Sequence, residues 1–161
     1  MKYVAIAAAV ILALFLIVLS QIPLGLEPLT EVYLENHTDL IKNAYLHKLY
    51  NFSFTTHNLE YQDVEYNYTV NAYDVNGTFM FNFDKGNFTL TNNETKTILV
   101  PYIFSQHFNR SQIQVEITKN LIGEPEFKRK FWWPDPNYPY NIDVHFWVDE
   151  YVPTQIIITP A

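Results

Sequence analysis

The stretch VEYNYTVNAY, residues 64–73, alternates between two classes of side chain. Val64, Tyr66, Tyr68, Val70 and Ala72 fall on one parity; Glu65, Asn67, Thr69, Asn71 and Tyr73 fall on the other. Successive side chains of an extended strand point to opposite faces, so this period predicts a strand with one buried and one wetted face. The period recurs. Phe52, Phe54 and Thr56 share a parity, as do Phe79, Phe81 and Phe83, then Ile113, Val115 and Ile117, and finally Ile142, Val144, Phe146 and Val148. Asn76-Gly77, Lys85-Gly86-Asn87 and Gly123-Glu124-Pro125 supply turn signals between the runs. No amphipathic helical period competes after Thr30. Seven to nine short strands at this spacing predict an all-β domain, an antiparallel β-sandwich of immunoglobulin-like type.

The N-terminus follows a different rule. Tyr3 to Ser20 contains no charge, Gly or Pro, and as a helix it covers about 27 Å, close to a bilayer core of about 30 Å. Lys2 precedes it, and Glu27, Glu31 and Glu35 follow. This charge bias predicts an uncleaved single-span anchor with a cytoplasmic N-terminus and an extracellular C-terminal domain. A cleaved signal peptide, with Val18 and Ser20 at its cleavage site, is the alternative, but the apolar run exceeds the usual ~7–15 residues. The expected organisation is an anchor at 1–21, a Pro- and Gly-containing linker at 22–30 and a sandwich ectodomain at 31–161.

Cysteine is absent from the 161 residues, which excludes disulfides, thiolate metal sites, thiol catalysis and Cys-dependent blue copper. A domain on the outside of a membrane must then hold together by packing alone. The formal charge of −7 opposes binding to nucleic acid and to anionic headgroups.

Seven triplets read Asn-x-Ser or Asn-x-Thr, beginning at Asn36, Asn51, Asn67, Asn76, Asn87, Asn93 and Asn109. With fifteen asparagines, and Ser or Thr at about one position in nine, chance supplies fewer than two. The triplet is the N-glycosylation acceptor, which requires a surface site in a secreted compartment. In Asn51-Phe52-Ser53, Asn67-Tyr68-Thr69 and Asn87-Phe88-Thr89 the middle residue is aromatic. On a strand the aromatic enters the core while the acceptor stands outside. Strands ordinarily avoid asparagine, so the triplets are expected to be glycosylated at several sites, against the alternative of a compositional bias towards Asn.

Chemistry-bearing residues form no familiar constellation. His37, His47, His57, His107 and His145 lack helical i, i+4 or His-x-His spacing and read as scattered strand or surface residues. Ser105-Gln106-His107 comes with no nucleophile elbow. Asp63 with Glu65, and Asp149 with Glu150, read as solvated carboxylates rather than a glycosidase pair. Asp135, Asn137 and Asp143 match no calcium loop. No catalytic, metal or cofactor residue is therefore assigned. The stretch FWWPDPNYPY, residues 131–140, gathers Trp132, Trp133, Tyr138 and Tyr140 around three prolines that forbid a central strand. It reads either as a plug for one end of the sandwich or as a surface for a partner, a glycan or the membrane interface.

Thr30-Glu31-Val32-Tyr33, then Asn58 and Tyr66, occur in the order found in a conserved archaeal family of membrane-anchored ectodomains of unknown function, which this chain resembles over about a third of its length. His47-Lys48 stands where that family has a Gly-Glu turn. The resemblance implies an archaeal surface location and a sandwich with no assigned reaction. The function expected is that of a non-enzymatic surface module, an accessory or structural subunit of an envelope or membrane complex. Its partners would be membrane lipid, other proteins of that complex and N-linked glycans. A filament subunit or filament-to-surface-layer connector is the alternative, although Met1-Lys2-Tyr3 lacks the pilin-type processing signal. A glycan-binding domain using Trp132 and Trp133 is a third.

Overall fold

Among the described residues eight strands form, five of them where the two-residue period runs, and they divide into two sheets. The computed structural model describes residues 2–20, 28–123 and 141–153. After a helix, α1 (Lys2–Ser20), come β1 (Leu29–Leu34), β2 (Asn43–Ala44), β3 (Tyr50–Leu59) and β4 (Asp63–Asp74). They are followed by β5 (Phe79–Leu90), β6 (Thr95–Tyr102), β7 (Arg110–Ile122) and β8 (Asn141–Glu150). One sheet has the order β1-β3-β6 and the other the order β2-β8-β7-β4-β5. Every pairing is antiparallel except that of β2 with β8, which is parallel over two residues. The expected β-sandwich is present. Its first strand begins at Leu29, two residues before the predicted boundary.

The inward parity is the predicted one on β3, β4, β7 and β8. Phe54, Val64, Tyr66, Val70, Ala72, Ile113, Val115, Ile117 and Val148 have no solvent exposure. Aromatic rings lock the sheets together. Phe52 on β3 meets Phe146 on β8 at 5.1 Å, Phe54 on β3 meets Tyr68 on β4 at 5.4 Å, and Phe83 on β5 meets Tyr102 on β6 at 5.5 Å. Without disulfides, such large apolar contacts supply the cohesion.

Two expectations on β5 need correction. Lys85-Gly86-Asn87 is not a turn; it lies inside the strand, with Gly86 opposite Tyr68. A Cβ on Gly86 would sit 2.8 Å from Cε1 of Tyr68, so the glycine is there to let the tyrosine ring lie across the strand. Phe79 does not point inward with Phe81 and Phe83. The register with β4 slips twice, once between Val70 and Asn71 and once between Ala72 and Tyr73, so Phe83 and Met80 are extra residues in two bulges. Each bulge resets the parity. Met80 packs against the core, and Phe79 is left 56% exposed beside Tyr73 on the outer face.

The hairpin at Asn76-Gly77 forms as predicted. Asp74 Oδ1 accepts the backbone N–H groups of Asn76 and Thr78, both at 2.8 Å, and Gly77 takes φ +78°. His47 takes φ +59°, the left-handed conformation that a glycine supplies freely.

The helix α1 stands where the sequence places the anchor, and its described apolar side chains, among them Tyr3, Leu12 and Phe15, are exposed. Its 19 residues give a length of about 28 Å. Among the described residues no helix is long and apolar enough to cross a membrane.

Candidate functional site

At one end of the sandwich the start of β1, the β3–β4 connection and the end of β7 meet around two buried charges. The period that buries Ile113, Val115 and Ile117 carries on to Lys119, whose side chain is therefore driven inward. Its ammonium lies 2.6 Å from Oε1 of Glu60, a fully buried residue in the β3–β4 connection. Thr30 on β1 donates its hydroxyl proton to the same Glu60 oxygen at 2.9 Å, and stands 2.9 Å from the hydroxyl of Tyr66. A threonine has one proton to give and the carboxylate only accepts, so Tyr66 donates to Thr30. Register explains the convergence: Thr30 is opposite Asn58, and Tyr66 is opposite Lys119. The clamp joins both sheets. Burial pushes the Tyr66 phenol far above its ordinary value, and the nearby Glu60 charge adds to the effect.

Asn58 completes the arrangement. Its amide Nδ2 donates to the carbonyls of Gln62, Leu90 and Thr91 at 2.9–3.0 Å, and its Oδ1 accepts from the backbone N–H of Glu60 at 2.9 Å. One buried side chain thus ties the β3–β4 and β5–β6 connections together. Glu60 Oε2 and Gln62 Nε2 are buried without a hydrogen-bond partner among the described residues. Thr30, Asn58 and Tyr66, which carry the family resemblance, all belong to this cluster. Glu60 and Lys119 were not singled out from the sequence. The parity of Lys119 was the available signal, since it is the next inward position after Ile117.

The seven acceptor asparagines are all exposed: Asn36, Asn51, Asn67, Asn76, Asn87, Asn93 and Asn109. Phe52 and Phe88, the middle residues of two strand triplets, are buried, and Tyr68, the third, is half-buried. Asn67 and Asn87 face each other across β4 and β5. Asn76 lies in the β4–β5 hairpin and Asn93 in the β5–β6 connection, where its Oδ1 is 3.2 Å from Nε2 of His57.

Asn67 also lies in a groove of about 310 Å³ on the outer face of the five-stranded sheet, with Thr69, Gln114, Glu116, Thr118, Asn141, Ile142 and Asp143. Rows of residues cross this face in register. One row runs Asn87, Asn67, Thr118, Asn141; the next runs Lys85, Thr69, Glu116, Asp143. Tyr73 donates to Glu116 at 2.7 Å, and Thr118 donates to Asn141 at 3.1 Å. A second groove, of about 430 Å³, opens between β1 and β8 and includes Val32, Leu34, His37 and Val144.

The remaining candidates take structural places. Nδ1 of His107 lies 2.6 Å from Oε1 of Glu150, and the other Glu150 oxygen accepts the N–H of Phe108 at 2.7 Å. Glu150 therefore fastens the β6–β7 connection, and His107 is bound to it rather than to Ser105. Asp149 is 3.5 Å from Arg110, and His145 is 3.6 Å from Asp143. Asp63 and Glu65 share the outer parity of β4, as expected. Among the described residues no three His, Asp or Glu side chains converge as metal ligands. Trp132, Trp133, Tyr138 and Tyr140, with Asp135 and Asn137, lie outside the described residues.

No family model matches the chain, and no curated protein matches it. Solved structures share the sandwich. A CARDB domain from Pyrococcus furiosus, solved with di-metal ions, is 16% identical, with a TM-score of 0.49 over 81% of this chain and 96% of that domain. A PapD-like domain of human CEP192 gives 8% and 0.40 over 80% of this chain and 90% of that one. The periplasmic chaperone SfaE gives 12% and 0.41 over 81% and 61%. At these values the likeness carries no argument about ligand or activity.

Proposed function

We propose that this chain is a membrane-anchored, glycosylated surface module of the archaeal ectodomain kind, with a structural or accessory role in a membrane or envelope complex and no catalysis of its own. The observation that carries this reading is the exposure of all seven acceptor asparagines, on strands, turns and connections alike. Attachment of a glycan requires each acceptor to stand outside, and all seven do. The apolar run from Tyr3 to Ser20 supports the anchor. Its helix of about 28 Å falls slightly short of a bilayer core of about 30 Å, and a small thinning of the bilayer absorbs such a mismatch for a fraction of a kcal/mol per Å. The clamp suits a structural part. It fixes the strand by which the chain enters the sandwich to both sheets through Thr30, Glu60 and Lys119.

The test is fractionation of the native host with proteolysis of intact, surface-stripped cells. Expected are retention in carbonate-washed membranes, release by mild detergent together with protein partners, and digestion of residues 29–161 from outside. Recovery in the soluble fraction with the N-terminal helix intact, or full protection from protease, overturns the reading.

A further inference from the structure

Two grooves hold acceptors: Asn36 and Asn51 share one of about 160 Å³ with Glu35 and Asp39, and Asn67 lies in the larger one of about 310 Å³. Asn76 and Asn93 lie in connections, whereas Asn67 is in the middle of the inner strand β4, between the edge strand β5 and the central strand β7. Its side chain makes no hydrogen bond to another described residue, although Asn71, Tyr73, Asn82 and Glu116 on the same face are bonded to one another. Its neighbours offer hydroxyl, amide and carboxylate groups at close spacing: Thr118 and Asn141 in its own row, then Glu116 and Asp143 in the next, with Gln114 beyond. Sugar hydroxyls are matched by such a mixture of donors and acceptors. The volume of about 310 Å³ is at the small end of ligand sites. Further along the face stand Tyr73, Phe79 and Trp147, with Arg110 stacked 4.9 Å over the indole.

We infer that this groove is the seat of the chain's own glycan at Asn67, which lies down along the outer face of β7 and β8 instead of projecting into solvent. The inference rests on the glycoprotein reading and deepens it. In the covalent step, Nδ2 of Asn67 bonds to the anomeric carbon of an oligosaccharide carried on a lipid phosphate donor. The bond from that carbon to the phosphate oxygen breaks, the lipid phosphate leaves with the electron pair, and one amide proton passes to solvent. Once attached, the sugar is tethered at an effective concentration of about millimolar or above, so weak hydrogen bonds suffice to seat it. A glycan in this place covers Glu116 and Asp143, two like charges directly opposite each other on β7 and β8, and provides hydroxyl donors to both. An unattached sugar would have to compete with the tethered one, so the occupant is the chain's own.

The test uses full-length protein from the native host in mild detergent. Site-resolved mass spectrometry first measures occupancy, and mild periodate then compares the oxidation rates of the sugars on Asn67 and Asn76. The Asn67 glycan is expected to react about tenfold more slowly, a factor equivalent to about 1.4 kcal/mol, which two or three hydrogen bonds provide. In a Gln114→Ala/Asp143→Ala variant, with unchanged melting temperature when unglycosylated, the two rates become equal. Equal rates in the parent protein overturn the inference, as does protection that survives in the variant. Glycans at other sites but none at Asn67 overturn the inference alone; glycans at no site overturn the glycoprotein reading with it.

Discussion

Lys119 Nζ stands 2.6 Å from Oε1 of Glu60, with the two side chains 2% and 0% exposed, at the meeting of the two sheets. Two charges out of water gain little over an apolar pair of the same shape, but one alone is severely penalised. Lys119→Met is therefore expected to cost about 3–5 kcal/mol, and Glu60→Gln/Lys119→Met to recover a good part of that loss. Denaturant melts followed by tryptophan fluorescence measure both. A double variant as weak as the single one would show that the pair does not act as a unit.

Asn58 separates shape from charge. Its Nδ2 faces three carbonyls, so Asn58→Ala leaves buried acceptors without a donor and costs about 2–3 kcal/mol. Asn58→Asp is nearly isosteric, yet it turns a carboxylate towards those carbonyls and is expected to be worse than alanine at neutral pH. The order of the two midpoints is the measurement.

Tyr68 and Gly86 should be energetically coupled. Gly86→Ala places a methyl against the Tyr68 ring, and overpacking of this kind costs about 1–3 kcal/mol. Tyr68→Ala removes a half-buried ring packed on Phe54 and Phe88 and costs about 3 kcal/mol. The double variant should be more stable than the sum of the two losses. Asn67→Gln, on the outer parity of the same strand, is expected to change stability by under about 0.5 kcal/mol in unglycosylated protein.

Asp74 gives the β4–β5 hairpin a pH dependence. The backbone N–H groups of Thr78 and Asn76 hold its carboxyl below the ordinary value of 3.8. A folded-state value below the unfolded one means that the stabilisation is fully present above the unfolded value and is lost as the pH falls through the folded one. Hydrogen exchange at the amides of Asn76 and Thr78 should accelerate in that acid range. In Asp74→Asn the acceleration should be absent.

The alternation was sufficient to predict the sandwich, the inward parity of β3, β4, β7 and β8, and the outward placement of Asn51, Asn67 and Asn87. It failed on β5, because the period carries no sign of a bulge: Phe79 keeps the spacing of Phe81 and Phe83, and only pairing with β4 turns it out. Gly86 misled for a related reason. Glycine marks turns and close approaches alike, and the ring that needs it, Tyr68, is distant in sequence. The clamp was half visible. Thr30, Asn58 and Tyr66 stood out through the family resemblance, whereas the partner of Glu60 is 59 residues away in sequence and becomes recognisable only when β7 lies beside β4.

The pairing of β2 with β8 has a consequence for biogenesis. Asn43-Ala44 bonds to Asp149-Glu150, so a strand made early is completed by the last described one. The chain passes between sheets at β1–β2, β2–β3, β3–β4, β5–β6 and β6–β7; the three-stranded sheet has all its strands by Tyr102, but the five-stranded one waits for β8. Non-local pairing of this kind makes folding slow. During synthesis the five-stranded sheet stays incomplete until β8 has been delivered, and Glu60 stays hydrated until Lys119 arrives. For the membrane-anchored module proposed above, that delay keeps the chain extended while it is threaded, because premature closure behind the translocating segment would stall its passage.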